Sequence, residues 1–303
     1  MGIAQRKEDA IMRLTESQVS FFHDNGYLLL EDALDENDLG PVIAEYEGII
    51  AERAEKLHAE GKVTDTHADR PFTERLLHLA SEAPEVTANL DIMQARGKAT
   101  FNFLKNPKIL DIAESFVGSE IICNPIQHIR AVLPKEKSQR APTPWHQDAG
   151  VCWPDTDPYF MLTVWIPIVD ATLENGCLQV MPGSHKMGLF RHDWNEAGLT
   201  VLPEYQPTNL TPKPLPIRAG GVILFHNYTL HSAKPNESES VRWSFDLRYH
   251  DVYQPTGRPF YPAFLMRSRL RPEAGNTQYE TWCQRWEFAL ENSKGAQAYR
   301  WPR

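Results

Sequence analysis

The stretch Val241-Arg-Trp-Ser-Phe-Asp-Leu-Arg-Tyr249 alternates polar and large apolar residues along its length. Successive side chains of a β-strand point to opposite faces, so this strand has one charged face and one apolar face. The charged face carries Arg242, Ser244, Asp246 and Arg248. We expect the apolar face to pack outward against the rest of the fold. A charged face inside a barrel would indicate a binding site.

Other short β-rich runs, broken by proline and glycine, begin at Ile121. They are Met161–Val169, Cys177–Met181 and Gly221–Phe225. Several short strands separated by turn signals are typical of a sandwich or a barrel.

The first 118 residues have a different pattern of apolar and polar residues, which predicts helices. Thr15 to Gln18 has the form of a capping box, which predicts a helix over about 16–25 that ends at Gly26. Tyr27–Leu30 reads as a short strand. Apolar residues then recur at helical spacing over 39–57 and again over 109–116, where Gly118 marks the end, whereas 59–70 is polar and predicts a loop.

The domain organisation follows from the helical and β-rich patterns of the sequence. No repeat, low-complexity tract or Gly/Ser linker divides the 303 residues, so we expect one domain over 1–303. It comprises a mostly helical flank over 1–118, a β core over 119–250 and a C-terminal extension over 251–303. The extension ends in a closing helix that carries Trp282 and Trp286 and is expected to pack on the barrel.

Composition excludes several classes of partner. The 31 basic and 40 acidic residues give a net charge of −9, which argues against nucleic acid. No apolar run approaches the roughly 20 residues that a membrane helix needs. The N-terminus lacks an apolar signal core, so we expect a cytoplasmic protein. Its four cysteines have no C-x-x-C spacing and are expected to be reduced thiols.

A candidate metal site begins with Trp145-His-Gln-Asp148. In an extended segment residues two apart point to the same side, so His146 and Asp148 can bind one ion. An imidazole and a carboxylate from such a pair, with a second histidine from a distant strand, form the facial triad of non-heme Fe(II) enzymes. His226 and His231, both near the end of the strand that starts at Gly221, compete for the third position.

The sequence resembles the phytanoyl-CoA dioxygenase family in four blocks that occur in the family's order over roughly residues 14–250. These blocks are Leu14–Leu28, Pro144–Asp148, Asn175–His185, and the pair His231 and Arg242 separated by ten residues. The resemblance implies an α+β fold, with a double-stranded β-helix (a jelly-roll, cupin-like barrel) flanked by helices.

The resemblance also implies the roles of individual residues. His146, Asp148 and His231 would bind Fe(II), which favours His231 over His226. 2-Oxoglutarate would chelate the metal, and Arg242 would bind its distal carboxylate, a role that suits a planar guanidinium. His185 belongs to a turn motif of the family and is expected to be structural.

One departure concerns the cosubstrate pocket. The family's namesake has a lysine on the strand before H-x-D, but Ile129–Pro134 has none, so Gln127 or Arg130 is a candidate substitute. Trp165 aligns with a tryptophan near the cosubstrate. Ser232 is offset by one position from the family's cosubstrate serine.

The implied reaction consumes 2-oxoglutarate and dioxygen, releases succinate and carbon dioxide, and hydroxylates an unactivated carbon of a small-molecule substrate. Asp148 favours hydroxylation over halogenation, because related halogenases have a small residue there. Desaturation or epimerisation by the same machinery would also fit the triad. Two different classes of protein stay open as well, namely a cupin-like metalloenzyme that does not use 2-oxoglutarate and a metal-free binding protein.

The substrate pocket is less defined by the sequence. Its candidate lining residues are Trp153, Tyr159, Phe160, Phe264, Arg248, Arg267 and Arg269. They would suit an acidic or aromatic molecule, and a CoA thioester does not follow from the resemblance.

Overall fold

The computed structural model describes residues 12–135, 142–297 and 300–301. Its helices are α1 (Glu16–Asn25), α2 (Glu36–Ala59), α3 (Phe72–Glu82), α4 (Ile92–Ala95), α5 (Lys98–Phe103), α6 (Pro107–Val117) and α7 (Tyr279–Asn292). Except for α7, all of these helices precede the β core, and the first 11 residues of the predicted helical flank lie outside the described residues. Among the described residues, no helix is long and apolar enough to cross a membrane.

The predicted start and end of α1 are confirmed. The Thr15 hydroxyl accepts from the Gln18 backbone N–H, and the Gln18 side chain accepts from the Thr15 backbone N–H, which completes the capping box. Gly26 has a φ of 78°, a left-handed conformation that ends the helix at low steric cost. The chain then enters the first strand directly.

The strands are β1 (Tyr27–Leu30), β2 (Glu120–Cys123), β3 (His128–Val132), β4 (Leu162–Pro167), β5 (Leu178–Val180), β6 (Asp193–Asn195), β7 (Gly198–Thr200), β8 (Lys213–Leu215), β9 (Val222–His226), β10 (His231–Ala233), β11 (Arg242–Asp251) and β12 (Phe264–Ser268). The major sheet has the order β1-β9-β4-β11-β2-β12, with β3 also paired to β11. A minor sheet has the order β10-β5-β8, and β6 pairs with β7.

The two main sheets enclose an apolar interior. Trp165 and Phe225 from the major sheet belong to the same buried cluster as Val180 and Ala233 from the minor sheet. All the strand pairs are antiparallel. This arrangement confirms the predicted jelly-roll, with helices packed on the outer face of its larger sheet.

Strand β11 is central to the fold, and its alternation is as predicted. On its outer face, Trp243 stacks on Phe72 with ring centroids 4.9 Å apart, and Phe245 contacts Phe103 at 4.7 Å. Both β11 side chains are fully buried, and burial of each contributes about 1.5–3 kcal/mol to stability. The polar residues therefore face the interior.

The C-terminal helix differs in part from the prediction. Trp282 and Trp286 are buried, but Trp282 contacts Phe101 of α5, so α7 packs on the helical layer. Helix α7 also contacts the β core, because the Arg285 guanidinium lies over the Phe264 ring of β12 at 4.8 Å. Phe288 is exposed. One large apolar cluster contains residues from Phe22 to Trp286, and for this reason we propose that the chain folds as a single domain.

Candidate active site

His146 and His231 are brought together by the backbone. An isolated β-bridge joins them, because the N–H of each donates to the carbonyl of the other at 3.0 Å. Their imidazole rings lie with centroids 4.3 Å apart. This bridge attaches the segment before Asp148 to the edge of β10, so two residues 85 positions apart in sequence share one side of the barrel.

Both imidazoles have the same orientation. The Nδ1 atom of His146 lies 2.9 Å from the Pro144 carbonyl, and that of His231 lies 3.0 Å from the Thr229 carbonyl. A carbonyl only accepts, so each Nδ1 donates its proton and each Nε2 keeps a free lone pair. Burial lowers the pKa of His146 to about 3, which keeps this imidazole neutral at physiological pH. Neutral imidazole is the form that binds metal ions.

Asp148 is held by two residues that face each other across β4 and β11. Arg248 Nη2 donates to Asp148 Oδ1 at 2.6 Å, and the Thr163 hydroxyl donates to Oδ2. Burial raises the pKa of the Asp148 carboxyl, but the neighbouring Arg248, His231 and His146 together outweigh burial and hold this pKa below its ordinary value. The buried side chain is therefore an anion with a fixed orientation.

His146, Asp148 and His231 form a group whose ligand atoms lie within 4.8 Å of one another. Among the residues that the structure describes, it is the one group of three or more His, Cys, Asp or Glu side chains with this geometry. Two imidazoles and one carboxylate suit Fe(II) and leave coordination positions for other ligands. The donor set thus fits a single bound ion.

Arg242 is a buried cation on the same interior face. Its side chain is 2% exposed, and its Nη1 donates to the Ser244 hydroxyl at 2.9 Å. Its Nε has no hydrogen-bond partner, and no carboxylate of the described residues lies within ion-pair distance. Burial lowers the pKa of Arg242 to about 10, so the group remains charged at neutral pH. Such a site is suited to a carboxylate ligand.

Trp165 lies beside this cation. The Arg242 guanidinium carbon is 5.4 Å from the centre of the Trp165 ring, a cation–π contact inside the barrel. The two residues thus form one end of a charged pocket, next to the interior apolar cluster.

Gln127 and Ser232 do not offer free groups to this pocket. The Gln127 amide donates to the Asn124 and Arg248 carbonyls and accepts from the Arg248 N–H, so the side chain is fully used by backbone groups. Ser232 faces away from its neighbours His231 and Ala233, and its hydroxyl accepts from Gln179 across the minor sheet. Because successive residues of a strand point to opposite faces, the one-position offset of Ser232 directs its hydroxyl to the face opposite that of His231.

Two further histidines lie away from the triad. His226 pairs with Leu162, whose side chain belongs to the outer core, so its ring faces out of the barrel and contacts Phe160 at 5.0 Å. His185 Nε2 lies 3.0 Å from the His23 carbonyl and holds the turn against α1. Geometry thus brings His231, and not His226, to His146.

The arginines proposed for the substrate pocket have other partners. Arg267 donates to Asp111 at 2.6 Å, and Arg269 donates to Glu114 at 2.9 Å, so both bind the surface of α6. Phe264 belongs to the outer core. Arg130 lies opposite Ser244 across the β3–β11 pair, with its Nη1 3.9 Å from Asp91.

Sequence reasoning missed the contacts that orient Asp148. The alternation of β11 places Arg248 inside the barrel, yet nothing in the sequence pairs it with a carboxylate 100 residues away. Thr163 gave no signal, because threonine is common in strands. Tyr159 and Phe160, which the sequence suggested for the substrate pocket, line a small cavity together with Ala149, the residue after Asp148.

Known proteins resemble this chain in sequence and in fold. The human peroxisomal phytanoyl-CoA dioxygenase is 24% identical over 79% of this chain and 71% of its own length. L-proline trans-4-hydroxylase of Streptomyces griseoviridis is 25% identical over 86% of this chain and 94% of its own length.

Solved structures show the same fold. The epimerase SnoN, solved with Fe3+, α-ketoglutarate and nogalamycin RO, superposes with a TM-score of 0.54 at 23% identity, covering 81% of this chain and 88% of SnoN. The non-heme monooxygenase ThoJ has a TM-score of 0.57 at 20% identity, covering 92% of this chain and 99% of ThoJ.

The family assignment rests on the extent of the match. The family model described as phytanoyl-CoA dioxygenase matches residues 22–244, which include the H-x-D pair, the distal histidine and Arg242. The chain therefore belongs to the phytanoyl-CoA dioxygenase family of iron- and 2-oxoglutarate-dependent oxygenases.

Proposed function

We propose that this enzyme hydroxylates a carbon of a small-molecule substrate, that His146, Asp148 and His231 hold its Fe(II), and that Arg242 binds the distal carboxylate of 2-oxoglutarate. The observation that carries this proposal is the buried Arg242, which forms no ion pair with a described carboxylate. It lies on the same interior face of β11 as Arg248, the residue that orients Asp148. A buried charge without a partner is costly, and a dicarboxylate cosubstrate would provide one.

When bound, iron with 2-oxoglutarate and dioxygen supplies an oxidant able to break a C–H bond. One oxygen atom of dioxygen enters succinate, which forms with carbon dioxide, and the other enters the substrate as a hydroxyl group. The protein's contribution is to hold the reactants. His146 and His231 present Nε2 because their Nδ1 protons are bound by carbonyls. Asp148 keeps one orientation because both its oxygens already accept hydrogen bonds.

Arg242 and Trp165 define the cosubstrate end of the site. The guanidinium fixes one carboxylate, so the other end of the molecule is directed toward the triad. The Trp165 ring covers one side of this cation and excludes water from it. An ion pair formed in such an apolar pocket is stronger than one in water.

Several observations favour this function over the competing ones. A cupin-like enzyme without 2-oxoglutarate has no need for a buried arginine that lacks a partner. A halogenase would lack the Asp148 carboxylate. The known relatives include a hydroxylase and an epimerase, so epimerisation and desaturation remain outcomes of the test. The net charge of −9 supports a small molecule rather than nucleic acid as substrate.

An anaerobic titration tests the proposal directly. Fe(II) is added to the purified full chain, followed by 2-oxoglutarate, and the weak visible charge-transfer band of the chelate is recorded. We expect the band to saturate at one equivalent of each. A protein that binds Fe(II) without developing the band would contradict the proposed role of 2-oxoglutarate. Candidate substrates are then screened for coupled release of succinate.

A further inference from the structure

His192 contacts the backbone between two of the proposed metal ligands. Its side chain is buried, and its Nε2 accepts the Gln147 backbone N–H at 3.0 Å. Gln147 is the middle residue of the segment His146–Asp148. The Nδ1 atom of His192 lies 2.9 Å from the Phe190 carbonyl and donates its proton there, which leaves Nε2 as the acceptor. One buried imidazole thus holds the peptide group that follows His146.

The Gln147 side chain attaches the same segment to two loops. Its amide donates to the Gly188 carbonyl at 2.8 Å and to the Tyr228 carbonyl at 2.7 Å. The amide oxygen accepts from the Phe190 N–H at 2.7 Å, so the buried side chain has partners for both its N–H groups and its oxygen. Residues 188–192 therefore hold Gln147 through its backbone and through its side chain.

The turn after Asp148 packs against the same imidazole. Gly150 belongs to the short 3₁₀ turn Asp148–Val151. A Cβ atom at Gly150 would overlap the His192 ring, so the ring reaches this turn only because the residue has no side chain. His192 therefore contacts the chain on both sides of Asp148.

The C-terminal extension covers one face of His192. The Trp301 ring stacks on the imidazole, with centroids 6.0 Å apart and planes inclined by 25°. The Trp301 carbonyl accepts from the Trp194 indole N–H at 3.2 Å, which attaches the extension to β6. The imidazole is thus enclosed between the turn after Asp148 and the extension.

Arg300 holds the loop that follows the turn Asp148–Val151. Its side chain is buried, and its Nε donates to the Cys152 carbonyl at 2.6 Å. Both Nη atoms donate to the Asp157 carboxylate, and Nη2 also lies 3.3 Å from the Trp153 carbonyl. A bidentate pair of this kind fixes orientation as well as distance. Two consecutive residues of the extension therefore contact His192 and the loop after Asp148.

We propose that His192 is a positioning residue of the metal site, and that Arg300 and Trp301 keep it and the loop after Asp148 in place. The inference rests on the proposed function, because that function makes His146 and Asp148 metal ligands. The three residues act through the backbone that carries these ligands. A functional site must be held within about 0.5 Å of its productive geometry, and partners that orient metal ligands typically contribute about 10–100-fold to metal affinity or activity.

Amide hydrogen exchange of Gln147 tests the role of His192 without any metal. The rate is measured by nuclear magnetic resonance on the full chain, labelled with a nitrogen isotope at glutamine. We expect exchange about tenfold faster in His192→Phe, because the amide loses its acceptor. His192→Gln keeps an acceptor and should recover part of the protection. An unchanged rate in His192→Phe would overturn the proposal.

His250→Phe is the matched control for this substitution. His250 and His192 are both 2% exposed, and each donates its Nδ1 proton to a backbone carbonyl. The difference lies at Nε2, which has no hydrogen-bond partner in His250. We therefore expect His250→Phe to leave the exchange of Gln147 unchanged. Equally fast exchange in both variants would mean that the loss of protection reflects general destabilisation, and would refute the assignment.

Titration with Co(II) measures the consequence for the metal site, since the visible absorption of this ion reports the geometry of its ligands. We expect the dissociation constant of Co(II) to rise about tenfold in His192→Phe and in Trp301→Leu, with a shifted absorption band. Arg300→Met should act in the same direction, and Arg300→Lys should recover only part of the loss. Because Trp301 is partly exposed, its replacement is expected to leave the protein folded. Variants that lose stability in urea but keep wild-type Co(II) affinity and absorption would overturn the proposal.

The wild type separates this inference from the proposed function. A wild-type chain that binds neither Co(II) nor Fe(II) would contradict the proposed function itself. Normal metal binding by the wild type, with unchanged affinity in His192→Phe and Trp301→Leu, would refute the positioning role alone.

Discussion

Arg248 donates to Asp148 through Nη2 at 2.6 Å, and both side chains are nearly inaccessible to solvent. The same guanidinium nitrogen lies 3.1 Å from Asp246. A carboxylate that would bind a divalent cation is thus already paired with a cation before any metal arrives. The ion pair fixes the direction of Asp148, and residues that orient a metal ligand in this way affect both metal affinity and activity.

The Arg248→Met variant should reveal the cost of leaving Asp148 unpaired. Removing one partner of a buried ion pair typically destabilises a protein by about 3–5 kcal/mol. We expect the metal-free variant to lose stability of this size in urea unfolding. Fe(II) or Zn(II) should stabilise the variant more than the wild type, because the metal would replace the missing charge. Arg248→Lys serves as the control that keeps the charge. Unchanged stability of metal-free Arg248→Met would contradict this account.

Replacing Arg242 should have the opposite effect on stability. Its buried charge has no anionic partner, so Arg242→Met is expected to leave the protein without cosubstrate as stable as the wild type, or more so. Binding of 2-oxoglutarate should weaken by about 2–5 kcal/mol, with Fe(II) affinity nearly unchanged. Calorimetric titration measures both affinities, and Arg242→Lys should recover only part of the loss. Wild-type dependence on 2-oxoglutarate in Arg242→Met would refute the assignment.

The choice between two histidines is tested by a pair of alanine variants. His231→Ala should lose Fe(II) binding and turnover, since it removes one of three ligand atoms grouped within 4.8 Å. His226→Ala should keep both, because its ring faces the outer core. Metal content after anaerobic loading and the charge-transfer band provide the measurements. The reverse pattern, with His226→Ala inactive and His231→Ala active, would show that the distal ligand was misassigned.

How far the sequence predicted the fold depends on the range of the interactions involved. The alternation along β11 and the capping box at Thr15 are local patterns, and both are confirmed. Helix α3 was not predicted, although Leu76 and Leu79 lie on its buried face, because the residue before it, Pro71, offers no side-chain cap. The face of a strand that points into the barrel was thus easier to predict than the residues at which short helices begin and end.

The candidate site was likewise predictable only where its residues are close in sequence. His146 and Asp148 are close in sequence, so their common direction follows from strand geometry, whereas the distal histidine was chosen by resemblance. Ser232 shows why a near match in sequence is insufficient, since a shift of one residue reverses the face of a strand. The ion pair of Arg248 with Asp148 depends on tertiary folding alone. No local pattern identifies which of the two buried arginines of β11 pairs with a carboxylate.

His226 also makes stability depend on pH. Burial, with smaller contributions from the charges of His185 and His23, lowers its pKa to about 4, below the ordinary value of 6.5. The unfolded chain therefore binds a proton that the folded chain excludes, and stability falls as the pH drops from about 6.5 toward 4. Urea midpoints at neutral and mildly acidic pH should differ less in His226→Phe than in the wild type. An identical pH difference in the two proteins would exclude this contribution.

The fate of dioxygen tests the proposed outcome of the reaction. The Asp148 carboxylate would occupy the coordination position that a halide needs. The substrate should therefore gain a hydroxyl group. With the true substrate and isotopically labelled dioxygen, we expect one labelled oxygen in succinate and one in the product, apart from any loss by exchange with water. Mass spectrometry of both products makes the measurement, and Asp148→Gly with added chloride is the control in which halogenation becomes possible. Competition between hydroxylation and a second hydrogen loss depends on how the target carbon is positioned relative to the metal site. An unlabelled product lighter by two hydrogens would mean that the enzyme desaturates its substrate, while one of unchanged mass and inverted configuration would mean that it is an epimerase.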